Sequence, residues 1–137
     1  MPNSPSRPRP PSPPSPAPTR SPESRPAVGL RGLHVYRAAL DYYRALVAAT
    51  RGLPRGHVVD QALRAAESTV LNIAEAHPAT GADRARRFRV AADEACEGVA
   101  ALDLLEARGT LAAPTIDELR RRLDPVCAML WRLSRPR

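Results

Sequence analysis

The sequence predicts an all-α protein, an antiparallel up-down-up-down four-helix bundle preceded by a disordered N-terminal tail rich in Pro, Arg and Ser. Apolar residues recur at spacings of three and four in four segments, which is typical of one face of an α-helix. The loops between these segments are short, which favours antiparallel neighbours. No segment alternates strictly between apolar and polar residues, as a half-buried strand would.

Residues 1–31 form the predicted tail and residues 32–137 the predicted bundle. Eleven of the 16 prolines precede Ala27, where they are interleaved with serines and arginines. Proline lacks a backbone donor and the segment has almost nothing apolar to bury, so we expect a disordered, partly polyproline II arm. Such an arm is a ligand for aromatic-lined grooves, a weak anion-binding tether or, more simply, an unstructured extension.

The four predicted helices span about 33–50, 55–76, 84–108 and 115–134. Their apolar stripes, in chain order, are Leu33, Tyr36, Leu40, Tyr43 and Val47; Val59, Ala62, Leu63, Ala66, Val70 and Ile73; Phe88, Ala92, Ala95, Val99, Leu102 and Leu105; and Ile116, Leu119, Leu123, Val126, Leu130 and Leu133. Asp83 is the predicted N-cap of the third helix, and Thr115 forms a predicted capping box with Glu118 in the fourth. Gly109 is predicted to end the third helix. Pro125 is expected to kink the fourth helix without dividing it.

The basic residues of this chain are all arginine, and the formal net charge is +7. The tail holds five Arg and one Glu, so the rest of the chain carries 16 Arg against 13 acidic residues, a net charge of +3. A guanidinium binds phosphate bidentately, whereas an ammonium acts as a point charge. This balance is compatible with nucleic-acid binding but is not diagnostic of it.

Two arginine clusters are the candidate nucleic-acid-binding residues. They are Arg84, Arg86, Arg87 and Arg89 at the start of the third helix, and Arg120, Arg121 and Arg122 on the fourth. Cations are unfavourable at a helix N-terminus, whose dipole is already positive, unless an anion binds there. The alternative, which stays open, is a solvated surface in which neighbouring carboxylates pair with the arginines. Neither cluster is interleaved with aromatic residues, as a platform for single strands would be.

The sequence offers no candidate for catalysis, and we expect neither an enzyme nor a cofactor. His34, His57 and His77 lie apart, without Cys or Asp at metal-ligand spacing, so no metal site is predicted. There is no Gly-rich phosphate loop and no nucleophile motif. Because the chain has no apolar signal region and no run long enough to span a membrane, we expect a cytoplasmic protein.

Two cysteines fall at a similar level of the hairpin between the third and fourth predicted helices. Cys96 and Cys127 each follow a predicted core residue by one position. A disulfide between them is conceivable, but a bacterial cytosolic protein would keep both reduced. We therefore expect two small, buried, unreactive thiols.

Segment 64–75, RAAESTVLNIAE, resembles the central motif of the four-helix-bundle proteins encoded in intervening sequences of bacterial 23S ribosomal RNA. It is also similar to the accessory variability proteins of diversity-generating retroelements. Segment 32–38 resembles the start of the first helix in that family, and Leu53-Pro54 its first turn; the resemblance runs from about 33 to 133. The match carries over four signature polar residues, for which it implies packing and subunit contact: Arg64, Ser68, Asn72 and Glu75.

The resemblance implies a homopentamer whose bundles pack into a barrel. In the retroelement branch, that barrel presents a basic surface to RNA or DNA and to a reverse transcriptase. Asp93 and Glu94 stand where the family has Gly and Ser, which lowers the local positive potential. The leading hypothesis is a non-enzymatic bundle that self-assembles and binds nucleic acid through arginine. The alternatives are an oligomeric scaffold or protein-partner module without nucleic-acid binding and, less favoured, a small helical enzyme similar to chorismate mutase.

Overall fold

The computed structural model describes residues 3–4, 6–16 and 27–136. These residues contain the helices α1 (Ala27–Gly32), α2 (His34–Thr50), α3 (His57–Ala76), α4 (Gly81–Ala107) and α5 (Ala113–Leu133). No strand occurs among them, so the predicted all-α class is confirmed. The four long helices begin within three residues of their predicted starts and end within one residue of their predicted ends.

The N-terminal tail is described only in part. Residues 3–4 and 6–16 are exposed and have no regular secondary structure. The rest of the segment before α1 lies outside the described residues. Helix α1 falls mostly within the range assigned to the tail, and the sequence analysis did not predict it. This short helix packs against α2, and between the two the Leu33 N–H donates to the carbonyl of Leu30 at 3.0 Å.

The four long helices form a closed ring. Helix α3 lies between α2 and α4, and α5 packs against both α4 and α2. The connecting segments 51–56, 77–80 and 108–112 are short, and they join helices that run antiparallel. The starts of α2 and α4 therefore lie at the same pole of the bundle as the ends of α3 and α5.

The interior of the ring is filled mainly by the residues that the sequence pattern predicts on α3, α4 and α5. Buried there are Val59, Ala62, Ala66 and Ile73; Phe88, Ala92, Ala95, Leu102 and Leu105; and Ile116, Leu119, Leu123, Val126 and Leu130. The other predicted members pack against this core while partly exposed: Leu63, Val70, Val99 and Leu133. The predicted inner faces of these three helices are thus confirmed.

The inner face of α2 was predicted wrongly, by one residue position. The buried residues are Val35, Ala39, Tyr42, Leu46 and Thr50. The predicted stripe of Leu33, Tyr36, Leu40, Tyr43 and Val47 is only half-buried. Helix α2 packs against three other helices, so its apolar arc is wide, and the pattern of its largest side chains does not mark the centre of that arc.

Two of the predicted helix caps were also wrong, because the helices begin earlier than expected. Helix α4 begins at Gly81, so Asp83 lies inside its first turn. Helix α5 begins at Ala113 with a proline in its first turn, a favourable position for proline, and Thr115 makes no capping bond. Gly109 does end α4 as predicted, with a φ of 67° that suits glycine. The last helix continues through Pro125 without a break, as predicted.

The two cysteines are both free, and they differ in exposure. Cys96 is exposed, so the prediction of a buried thiol was wrong there, whereas Cys127 is half-buried. One position past a core residue is a rotation of about 100° around the helix axis, so burial of the preceding residue does not fix the exposure of the thiol, and only Cys127 packs against the core. Burial, with smaller effects from Cys96 and Asp124, raises the pKa of the Cys127 thiol to about 11.

Candidate nucleic-acid interface

The start of α4 carries four of the seven arginines proposed to bind nucleic acid, and two of them share one carboxylate. Arg86 and Arg87 both donate to Asp83, each at 3.0 Å. Arg87 also reaches Glu75 on α3, with 3.5 Å between nitrogen and oxygen. Hydrogen bonds from Arg87 and Arg86 lower the pKa of the Asp83 carboxyl. Much of the charge of these two arginines is therefore balanced within the molecule.

The second proposed cluster, on α5, is also paired with carboxylates. Arg120 donates to Glu106 and to Asp103 on α4, each at 2.8 Å. These hydrogen bonds, that to Glu106 first, raise the pKa of the Arg120 guanidinium. Arg121 and Arg122 share Glu118, at 2.7 and 3.2 Å. Arg120 therefore links α5 to α4, and the cluster as a whole presents little unbalanced charge to solvent.

The remaining two arginines at the start of α4 lie over aromatic rings. Arg84 is 4.6 Å from the centroid of the buried Phe88 ring. Arg89 is 5.3 Å from the centroid of Trp131 on α5, and Arg135 is 5.7 Å from the same centroid. Trp131 is 49% exposed. A cation over an indole is held by the ring quadrupole, and at an exposed site this attraction is weak.

An open cavity of about 680 Å³ lies between the start of α4 and the end of α5. It is lined by Ala79, Thr80, Gly81, Ala82, Arg84, Ala85, Arg132, Leu133, Arg135 and Pro136. No acidic side chain is among them. In the described part of the chain, no carboxylate lies within ion-pair distance of Arg132 or Arg135. We call the surface formed by Arg84, Arg89, Trp131, Arg132 and Arg135 the arginine pole.

The opposite pole of the bundle has a second cavity of a different character. It measures about 560 Å³ and lies where α2 ends and α3 begins. Charges of both signs line it: Arg55 pairs with Asp60 at 2.9 Å, and the Tyr43 hydroxyl donates to Glu67 at 2.8 Å. Because carboxylates in this cavity already pair with its arginines, the cavity is poorly suited to bind phosphate.

The four signature residues lie along α3, where two of them bind α4. Arg64 is 2.8 Å from Glu97 and 3.8 Å from Glu94 on α4. Glu75 pairs with Arg87 farther along the same seam. The Asn72 amide donates to the Ser68 carbonyl one turn earlier at 2.7 Å, within the helix. Arg64 and Glu75 thus connect α3 to α4, whereas the Asn72 amide bonds within α3.

Three residues of the arginine pole were missed by the sequence analysis: Trp131, Arg132 and Arg135. Trp131 and Arg132 lie in the last turn of α5, and Arg135 follows shortly after the helix ends. Only the packing of α5 against α4 brings them beside Arg84 and Arg89. One signal was available in the sequence. Trp131 is the largest apolar residue of α5, lies outside its apolar stripe and is followed directly by an arginine.

The described residues show no other centre of chemistry. They contain no group of three or more His, Cys, Asp or Glu side chains that could hold a metal ion. None of the helices formed by these residues has both the length and the apolar character needed to cross a membrane. The arginine pole is the surface most suited to an anionic ligand.

Comparison with known proteins identifies the family of the chain. A sequence model of the family described as 23S rRNA-intervening sequence protein matches residues 31–132. The fold is similar to the crystal structure of a protein of unknown function from the S23 ribosomal protein family of Bacteroides thetaiotaomicron VPI-5482, with a TM-score of 0.68 and 21% identity over 74% of this chain and 98% of that one. No curated protein matches the chain. Since the family model covers most of the chain, this protein belongs to the 23S rRNA-intervening sequence protein family.

Proposed function

We propose that this protein is a non-enzymatic helical bundle that self-assembles and binds nucleic acid at the arginine pole. The observation that carries the proposal is the cavity between α4 and α5, which Arg132 and Arg135 line and which no acidic side chain of the described residues lines. Phosphate neutralisation needs cations that are not already balanced. Arg132 and Arg135 meet this requirement better than the carboxylate-paired Arg86, Arg87 and Arg120. Relative to the sequence-based hypothesis, the site moves toward the end of α5.

The binding proposal is tested with a matched pair of charge reversals. The first variant combines Arg132→Glu with Arg135→Glu, and the control combines Arg121→Glu with Arg122→Glu, arginines that share Glu118. Affinity for a fluorescently labelled RNA is measured by anisotropy over a series of salt concentrations. We expect wild-type affinity to fall steeply with salt, with a logarithmic slope of about −0.7 per phosphate neutralised on a single strand. The pole variant should lose about tenfold or more in affinity and flatten this slope, and the control should lose less.

Two results would contradict nucleic-acid binding at the pole. No retention of RNA or DNA even at low salt would favour the alternative of a scaffold that binds only protein. Equal losses of affinity in the two variants would show that binding depends on the net charge of the protein and not on a particular site. Circular dichroism of both variants checks that helicity is unchanged.

Self-assembly is proposed through the outer side of the α3–α4 seam. The ion pairs of Arg64 with Glu97 and of Glu75 with Arg87 set a register that places Leu71 on α3 opposite Val90 on α4. Leu71 is 63% exposed and Val90 is 37% exposed. An apolar centre bordered by charges of both signs has the composition of an interface core with a polar rim, and it is suited to contact another copy of this chain.

The assembly proposal is tested by Leu71→Glu, with Leu104→Glu as the control. Both leucines are exposed and helical, but Leu104 lies near the far end of α4. We expect wild-type protein to form a homo-oligomer, the pentamer being the state that the family resemblance implies, in light scattering coupled to size exclusion. Leu71→Glu should reduce the mass toward that of the monomer, and Leu104→Glu should not. A monomeric wild type, or an unchanged Leu71→Glu assembly, would contradict the proposal.

A further inference from the structure

Trp131 is exposed at a place where the fold does not require a large aromatic side chain. Its neighbours Leu130 and Val126 are fully buried on the inner face of α5, whereas about half of the Trp131 surface faces solvent. The contacts that hold the ring are to Arg89 and Arg135, which are themselves exposed. An accessible ring held by exposed cations is available to another flat group.

The same ring stands beside the cavity that suits phosphate. Arg132 is its neighbour in sequence, and Arg135 both touches the ring and lines the cavity. An aromatic surface next to cations that do not pair with carboxylates is the combination that single-strand binding proteins use. In those proteins, bases stack on the ring and the backbone follows the positive groove.

We propose that the arginine pole recognises single-stranded nucleic acid, with one base stacked on Trp131 and the adjoining phosphates bound by Arg132 and Arg135. The inference rests on the nucleic-acid binding proposed above and names the class of ligand. Stacking of a base on an aromatic ring is stronger than an exposed cation–π contact, so a base displaces a guanidinium from Trp131. The displaced guanidinium of Arg135, which pairs with no carboxylate of the described residues, then lies free to meet the neighbouring phosphate.

A duplex cannot use this surface in the same way. Its bases are stacked on one another and paired, so their flat faces are not presented to a protein ring. It would meet only the arginines. We therefore expect the arginine pole to bind single strands more tightly than duplexes. This preference should depend on Trp131, whereas the part of the affinity that depends on charge should not.

The chain has one tryptophan, so its fluorescence reports directly on this position. The probes are an oligothymidylate and an oligouridylate of about ten nucleotides, together with a duplex of the same length. We expect the single strands to quench Trp131 emission on binding and the duplex to leave it nearly unchanged. The two strands differ in the sugar and in one methyl group of the base, but they share a pyrimidine ring and a phosphate backbone, so either strand supports the inference.

Three variants of the full-length protein separate stacking from charge, with affinity measured by anisotropy of labelled probes. Trp131→Leu should weaken single-strand binding about tenfold and duplex binding less than twofold. Trp131→Phe keeps a smaller ring and should recover most of the loss. Arg132→Glu with Arg135→Glu should weaken the binding of both kinds of probe. Thermal unfolding of each variant shows whether the bundle is intact.

The possible outcomes distinguish this inference from the proposed function. Binding of single strands and duplex alike, without quenching and with equal losses in Trp131→Leu, overturns the stacking inference and leaves arginine-dependent binding standing. No binding of any probe by the wild type overturns both. A single-strand preference lost in Trp131→Leu and restored in Trp131→Phe supports the inference.

Discussion

Adjacent tyrosines on α2 occupy contrasting environments. Tyr42 is 2% exposed, and its hydroxyl is buried without a hydrogen-bond partner in the described part of the chain. Burial, with a smaller effect from Cys127, raises the pKa of Tyr42. The hydroxyl of Tyr43 instead donates to Glu67 at the surface, at 2.8 Å. A buried hydroxyl without a partner has lost its bonds to water and gained none, a cost of about 1–3 kcal/mol.

We therefore predict that Tyr42→Phe leaves the protein as stable as the wild type or stabilises it, by up to about 1 kcal/mol. The ring that fills the core is retained and only the unpartnered oxygen is removed. The matched control, Tyr43→Phe, removes a hydrogen bond and should destabilise by up to about 1 kcal/mol. Urea-induced unfolding measures the free energy of unfolding of both variants. A clear loss of stability in Tyr42→Phe would mean that the hydroxyl is satisfied in solution.

At the scale of the helices, the sequence predicted those elements whose inner face is marked by large aliphatic residues. On α5, Ile116, Leu119 and Leu123 repeat with the helical period, and all are buried. The prediction failed on α2, where large apolar residues occupy adjacent positions, so that Tyr42 and Leu46 are buried while Tyr43 and Val47 are half-buried. A prediction from sequence spacing depends on where the large apolar side chains occur, whereas the burial of a residue depends on how the helices pack.

The local polar interactions were harder to predict than the helices. Asp83 and Glu118 were expected in helix caps, but each pairs with two arginines three and four residues farther along the helix. Spacings of three and four are also those of favourable ion pairs on a helix, so the sequence does not tell the two uses apart. The arginine pole combines residues from α4 and α5, and its position depends on the register of packed helices. The apolar spacing within a single helix does not specify how that helix is aligned along its neighbour.

Helix α5 continues through Pro125, and this position leads to a prediction about the stability of the protein. Proline inside a helix is about 3 kcal/mol less favourable than alanine, because it removes a hydrogen bond and crowds the preceding turn. Pro125 is exposed, so nothing in the core depends on its ring. Pro125→Ala should raise the free energy of unfolding by about 1–3 kcal/mol. Pro114→Ala, in the first turn where proline is tolerated, should change it by less than about 0.5 kcal/mol.

Both proline variants are compared by thermal and urea unfolding. A stabilisation in Pro125→Ala together with a neutral Pro114→Ala would locate the strain in the middle of α5. If Pro125→Ala were destabilising, the proline itself would favour the packing of α5 against α2 and α4.

At the scale of the molecule, charged side chains are distributed unevenly over the surface of the helical bundle. Along the α3–α4 and α4–α5 seams, arginines pair with carboxylates and stabilise neighbouring helices against each other. At the arginine pole, Arg132 and Arg135 have no such partners among the described residues. The formal net charge therefore understates how concentrated the unbalanced positive charge is. Long-range attraction of a polyanion should be directed toward that pole.

The N-terminal segment provides the last prediction, because it adds positive charge to the chain. Residues 1–26 contain four Arg and one Glu, so their removal lowers the formal net charge from +7 to +4. The buried core residues of the described part of the chain all lie between Val35 and Leu130. The shortened protein should therefore keep its helicity and unfold at nearly the same temperature. Its affinity for single strands should fall and depend less on salt, because fewer counterions are released. Quenching of Trp131 at saturation should persist; its loss would mean that the N-terminal arginines, and not the arginine pole, carry the binding.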